Sequence, residues 1–206
     1  FKLEAIGEYA LELSKENYSF AEIKNQFENK HQVISAKYSV LGFVKSGNLV
    51  VANKTIVALV EKGETVTRYA TTGKDGSFKF ENISDTCLVR ICDENYESLE
   101  ISGINILKTD ANFNVGYFVN LSFDVETNVN YNDGSKNLSI LTNSENGKFV
   151  ARLKLYGKIT VSFVASANAT ATQGHISYNP SSKTYNAPKT ESIQSEITYM
   201  ISGSVT

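Results

Sequence analysis

Between Val115 and Glu126 the chain alternates almost strictly: Val115, Tyr117, Val119, Leu121, Phe123 and Val125 interleave with Gly116, Phe118, Asn120, Ser122, Asp124 and Glu126. Successive side chains of a strand point to opposite faces, so this register buries one face and leaves most of the other in water. A helix would scatter the same residues around its surface. The alternation continues through Val129 and Tyr131 to Asn132-Asp133-Gly134, a hairpin signal, and Asn146-Gly147 offers another. Phe149, Ala151, Leu153 and Leu155 then repeat the pattern, as do Ile159, Val161, Phe163 and Ala165, which predicts an antiparallel sheet through this half of the chain.

Upstream, from about Tyr38 to Ile91, short β-prone runs are separated by Gly, Asn and Asp, and Asp75-Gly76 sits where a tight hairpin needs positive φ. The first residues differ. Leu3, Ile6, Ala10 and Leu13 recur at helical spacing, as do Phe20, Ile23 and Phe27, and Ser19 with Glu22 has the form of a capping box opening a second helix near Phe20. Residues 167–189 are rich in Ala, Thr, Ser and Asn and hold both prolines, which predicts a long loop or arm. Ile193, Ile197, Tyr199 and Ile201 then form a last half-apolar strand. The expected fold is mainly β, one or more antiparallel β-sandwiches with a short N-terminal helical segment: residues 1–36 helical, 37–103 a β-sandwich, 104–206 a second antiparallel β domain with a C-terminal strand or arm.

Composition narrows the functional classes. With 20 Lys+Arg against 22 Asp+Glu and no run of like charges, no field steers nucleic acid. Residues 8–40 have a helix-turn-helix look, yet residues 1–40 hold no Arg to read guanine, and residues 38–44 would have to serve as both recognition helix and strand. The longest apolar stretches, such as residues 55–60, are far too short to cross a bilayer as a helix. His31 and His175 lack metal-ligand spacing, and no nucleophile elbow, phosphate loop or paired-Cys zinc pattern is present. Asp124, Glu126 and Asp133 are the one candidate calcium cluster, weighed against an ordinary charged strand face. Cys87 and Cys92, separated by an extended Leu-Val-Arg-Ile, stand roughly 16 Å apart, beyond disulfide reach. The expectation is a non-enzyme with no cofactor and no metal.

Gly42-Phe-Val44, the run from Asn48 to Val60, Ala70-Thr-Thr-Gly-Lys-Asp-Gly-Ser-Phe-Lys-Phe-Glu-Asn-Ile83, and Leu88-Val-Arg-Ile91 followed by Asn95-Tyr96 occur in an order that resembles the carboxypeptidase regulatory-like domain, a transthyretin (prealbumin-like) β-sandwich, over residues 40–101. Phe78 and Phe80, two apart, enter one core in such a strand. The resemblance implies a non-catalytic, mostly extracellular stabilising or adhesive module and names no ligand. The self-crosslinking Glu-x-x-Ala-Pro segment of related modules is absent, so no isopeptide bond is expected.

Six Asn-x-Ser/Thr sequons, at Asn17, Asn53, Asn82, Asn120, Asn137 and Asn168, fall in predicted turns or on a polar strand face, where a glycan disturbs no core. Together these features predict a secreted glycoprotein of the cell surface, a pilus-like filament or layer subunit that joins copies of itself by a donor strand. Ile193, Ile197, Tyr199 and Ile201 are the expected subunit contact. The alternative is a monomeric extracellular module that binds host or cell-surface glycans through Tyr-rich loops such as Tyr178 and Tyr185. Neither alternative involves nucleic acid or membrane insertion.

Overall fold

The computed structural model describes residues 10–11, 14–20, 23–24, 36–54, 57–63 and 67–199. Up to residue 114 it forms β1 (Ala10–Leu11), β2 (Tyr18–Phe20), β3 (Ile23–Lys24), β4 (Ala36–Ser46), β5 (Leu49–Val50), β6 (Val57–Glu61), β7 (Thr67–Ala70), β8 (Ser77–Ile83), β9 (Cys87–Ile91), β10 (Glu100–Ile104) and β11 (Phe113–Asn114). There follow β12 (Tyr117–Phe123), β13 (Thr127–Asn132), β14 (Asn137–Leu141), β15 (Asn143–Glu145), β16 (Lys148–Leu155), β17 (Ile159–Ala165), α1 (Ala167–Gln173), β18 (His175–Tyr178), β19 (Ser182–Tyr185), β20 (Lys189–Ile193) and β21 (Ser195–Thr198). The chain is mainly β, with several antiparallel sheets and one short helix among the described residues. Among these residues no helix is long and apolar enough to cross a membrane. Two compact units result. The first gathers Phe1–Val44, Ala52–Cys92 and Leu99–Phe113; the second gathers Lys45–Val51, Asp93–Ser98 and Asn114–Thr206, so neither is a single stretch of chain.

In the first unit β10, β9, β6 and β7 pair in that order, and β4 pairs with β8 and β2. Alternation sets the core: Val57 and Leu59 of β6, Val89 and Ile91 of β9, and Phe78 and Phe80 of β8 are all buried. Phe78 lies opposite Gly42 of β4, and a Cβ on Gly42 would sit 2.5 Å from the Phe78 ring and overlap the Ala111 carbonyl. The glycine is thus required by close approach of a ring and a neighbouring backbone, not by its own torsions. Tyr38 of β4 is buried and donates its phenolic proton to the Asp85 carbonyl at 2.7 Å.

Several expectations for this unit are corrected. Where described, the N-terminal residues are strand: β2 pairs with β4, and Ser19 donates its hydroxyl to the Asn82 side chain instead of capping a helix. Tertiary pairing overrides the local helical period there. Leu3, Ile6, Leu13, Glu22, Phe27 and His31 lie outside the described residues. Residues 36–46 are one strand, so no recognition helix occupies 36–44. Asp75-Gly76 does make a turn, with Gly76 at φ 79° and Asp75 accepting from the Ser77 N–H at 3.0 Å. It joins strands of different sheets, β7 pairing with β6 and β8 with β4, so it is a crossover between sheets and not a hairpin.

The second unit is a sandwich of two four-stranded sheets, β15-β16-β12-β20 and β14-β13-β17-β19. Phe123 of one sheet meets Phe163 of the other edge-on at 5.5 Å, and Tyr178 closes the triangle at 5.9 and 6.1 Å. The apparently continuous strand from 115 to 131 is two strands in facing sheets, because the chain bends at residues 124–125 while Val125 stays in the core. Asn132-Asp133-Gly134 and Asn146-Gly147 turn the β13–β14 and β15–β16 hairpins, with Gly134, Asn146 and Gly147 all at positive φ. Residues 167–189 are not an arm. Ser166 caps α1 by accepting from the Ala169 N–H at 3.1 Å, and β18 and β19 follow. The last predicted strand is likewise two, β20 and β21, separated at Gln194.

Replacing Gly42 by Ala forces the Phe78 ring and a backbone carbonyl to move, which is expected to lower stability by about 1–3 kcal/mol. Urea unfolding followed by tyrosine fluorescence measures it.

Candidate functional site

The second unit places its most distinctive chemistry at one open side of the sandwich, where β19 and β20 are the edge strands of facing sheets. β20 runs parallel to β12, with Val119 opposite Lys189 and Phe123 opposite Ile193. Its outward residues meet β12 through side chains: Ser122 and Ser192 share a hydroxyl hydrogen bond of 2.7 Å, and Asn120 Nδ2 donates to Thr190 Oγ1 at 3.4 Å. Its inward residues are Lys189, Glu191 and Ile193, of which Ile193 alone is a buried apolar side chain, 4% exposed. Burying one isoleucine contributes about 2 kcal/mol, whereas neighbouring β12 buries Tyr117, Val119, Leu121 and Phe123. β20 is held chiefly by main-chain bonds.

Glu191 occupies the position where a strand of this kind would carry an apolar residue. Its carboxylate, 20% exposed, accepts from the Tyr185 hydroxyl and from Lys183 Nζ at 3.3 Å, bridging the two sheets at the mouth of a recess of about 370 Å³. Burial pushes the Tyr185 phenol well above its ordinary value, and its hydrogen bond to the Glu191 carboxylate adds to the rise. At the far end of β20 the Asp124 carboxylate accepts from the Ser195 N–H at 3.1 Å and the Ser195 hydroxyl at 2.8 Å. The strand is therefore framed by two carboxylates, both engaged with hydrogen-bond donors, which tie it at each end.

Of the expected contact residues, Ile193 is buried in its own unit, Ile197 lies on β21 opposite Ile176 of β18, and Tyr199 is exposed. Ile201 lies outside the described residues. The segment is thus paired in its own unit up to residue 198. Tyr178 and Tyr185 are buried, donating or accepting at Thr127 and Glu191, so they offer no ring to a sugar. The calcium cluster does not assemble: Asp124 holds Ser195, Glu126 accepts from the Ser166 hydroxyl, and Asp133 holds the Ser135–Lys136 turn. No group of three or more potential metal ligands occurs among the described residues. Cys87 is buried and Cys92 exposed at the far end of extended β9, and they do not bridge. His175 is exposed on β18.

The sequon asparagines Asn17, Asn53, Asn82, Asn137 and Asn168 are exposed, and Asn120 is half-buried beside Thr190. Asn17, Asn53 and Asn82 have φ of 64°, 55° and 61°, the left-handed turn conformation that asparagine tolerates. Sequence reasoning missed the Glu191–Tyr185–Lys183 bridge. The available signal was an acidic residue in the Lys189/Glu191/Ile193 face, but its partners are supplied only when two sheets face one another.

No protein-family model and no curated protein matches the chain. Among solved structures, a DUF3823 family protein from Bacteroides ovatus is similar over 63% of this chain and 91% of its own, at 11% identity and TM-score 0.31. The Bacillus anthracis TIE protein is similar over 84% of this chain and 37% of its own, at 13% identity and TM-score 0.31. A streptococcal ancillary pilin is similar over 89% and 73%, at 10% identity and TM-score 0.30. All three are β-rich. At these TM-scores the functional argument rests on this chain's own residues.

A tyrosine with a raised folded value binds its proton more tightly folded than unfolded. Its stabilising contribution is complete below about pH 10, the unfolded value, and is lost as the pH rises through the folded one. Burial raises Tyr38, Tyr117, Tyr178 and Tyr185 in this way, Tyr117 to about 12. Stability should accordingly be flat from neutral pH to about pH 10 and fall above it, with Tyr185→Phe costing about 1–2 kcal/mol at neutral pH and flattening part of the alkaline loss. Urea midpoints across pH, with ultraviolet titration of the phenols, provide the measurement.

Proposed function

We propose that this chain is a non-catalytic structural or adhesive protein of the cell surface or extracellular space, and that copies join head to tail by exchanging the β20 segment. The observation that carries this is the thin anchoring of β20: a parallel edge strand with main-chain bonds along its length and one buried apolar side chain, Ile193. Opening such a strand costs little compared with opening a core strand. Docked on β12 of a second copy, it re-forms the same register, the same serine pair and the same bridge to Tyr185, so exchange is close to neutral per contact and is drawn forward by concentration. One segment given and one groove filled per copy is a heterologous contact, which propagates as a polymer.

Two further features support an extracellular setting. Five sequon asparagines stand in open positions, where glycans meet no core residue. Residues 40–101 set Phe78 and Phe80 opposite Gly42 and Val40 with both rings in one core, and this supports reading that stretch as a carboxypeptidase regulatory-like module.

Ser122→Cys with Ser192→Cys, in a Cys92→Ser background, provides the test, since the two hydroxyl oxygens already lie 2.7 Å apart. Light scattering and negative-stain microscopy of concentrated full-length protein should show oligomers or fibres when the pair is reduced, and monomers when it is oxidised before assembly. Assembly that is equal in the oxidised form would eliminate strand exchange. Secreted native material is also expected to lose mass on enzymatic removal of N-glycans, as measured on the intact chain.

A further inference from the structure

The two outer faces of the second unit's sandwich differ in charge. On the β15-β16-β12-β20 sheet the outward residues include Glu145, Lys148, Arg152 and Lys154. On the β14-β13-β17-β19 sheet none of the outward residues is charged, although a fifth of the chain is Asp, Glu, Lys or Arg. Asn128, Asn130 and Asn132 run down its centre along β13, and every other outward position is Ser, Thr or Asn except two. Those two are Leu141 and Val164, 48% and 55% exposed, which flank Asn128 from either side in one row across three strands.

We infer that this uncharged face pairs with the same face of a second copy. A twofold contact sets each patch against itself, so any face with a net sign meets its own charge, and like charges set opposite one another cost several kcal/mol. The other face keeps a positive excess, since Glu145 and Glu97 offset only part of Lys148, Arg152 and Lys154, and is disfavoured to that extent. The Asn128–Asn132 face carries no such penalty, and Leu141 and Val164 supply the apolar area that a pairing face needs near its centre. A sugar polymer is the less suited occupant, because none of the outward residues on these four strands is aromatic.

The size of the face sets the strength of the contact. Four strands about 4.8 Å apart, about six residues long at about 3.3 Å each, give a flat footprint of roughly 400 Å². That is below the ~800 Å² per partner of a standard interface. The contact is therefore weak between single molecules and strong between arrays, where many such faces act together. In a polymer built by strand exchange it would join neighbouring strands of the polymer side by side.

The test uses full-length protein made without glycosylation, because a glycan on Asn137 at the rim of the face would hold two copies apart. The oxidised Ser122→Cys/Ser192→Cys form removes strand exchange, so any remaining association belongs to the face and the two proposals fail separately. Sedimentation equilibrium at high concentration should show a weak dimer. Val164→Lys and Val164→Glu, each placing like charges together, should weaken it at least about tenfold, and an equimolar mixture of the two should restore it. A monomer at every concentration, or dimers indifferent to both substitutions, would overturn the inference and leave the face as a solvated surface only. Both variants sit at an exposed position, and circular dichroism of each should match the parent.

Discussion

The second unit depends on an apolar layer between two sheets, whose centre is the triangle of Phe123, Phe163 and Tyr178. Edge-on rings of this kind fill the space between sheets about 10 Å apart and prefer this geometry to face-to-face stacking. Tyr178 adds a polar tip, and its hydroxyl meets Thr127 Oγ1 within the buried layer. Thr127 in turn donates to the Val125 carbonyl and so helps set the bend that sends the chain from one sheet to the other. Packing and chain direction are thus coupled through one hydroxyl pair.

At its edges the sandwich is held less by packing and more by polar contacts. At the β19–β20 side the interior position belongs to Glu191, satisfied by Tyr185 and Lys183, and the opposite edge strand β15 is exposed along its whole length. Buried carboxylates are costly unless they are bonded, and here the bonds come from the facing sheet. Such an edge is closed but shallow. In the first unit a buried polar group is satisfied in the same way, the Tyr38 hydroxyl donating to the Asp85 carbonyl.

Edges and faces also differ in what they offer a second copy. An edge offers directional main-chain bonds, which specify register. The uncharged face of β14, β13, β17 and β19 offers area without direction. Were both used as proposed, the first would give length and the second lateral cohesion, with each contact weak enough to be reversible until many act together.

Alternation in the amino-acid sequence by itself determined which residues are buried: Val119, Leu121, Phe123, Val129, Leu153, Leu155, Val161 and Phe163 are inward, as a period of two requires. The Asn132–Gly134 and Asn146-Gly147 hairpins were equally legible, because positive φ favours those residue types locally. What only the tertiary structure decided is where one strand ends and the next sheet begins. Alternation is the same on both sides of residues 124–125 and of Gln194, so a period cannot reveal a change of sheet. The helical spacing near Ala10 and Ser19 yielded to strand pairing for the same reason, since a local period is a weak preference beside long-range backbone bonds. The bridge of Glu191 to Tyr185 and Lys183 was likewise invisible, because it exists only once two edges, separate in the hydrogen-bonding pattern, face each other across a core.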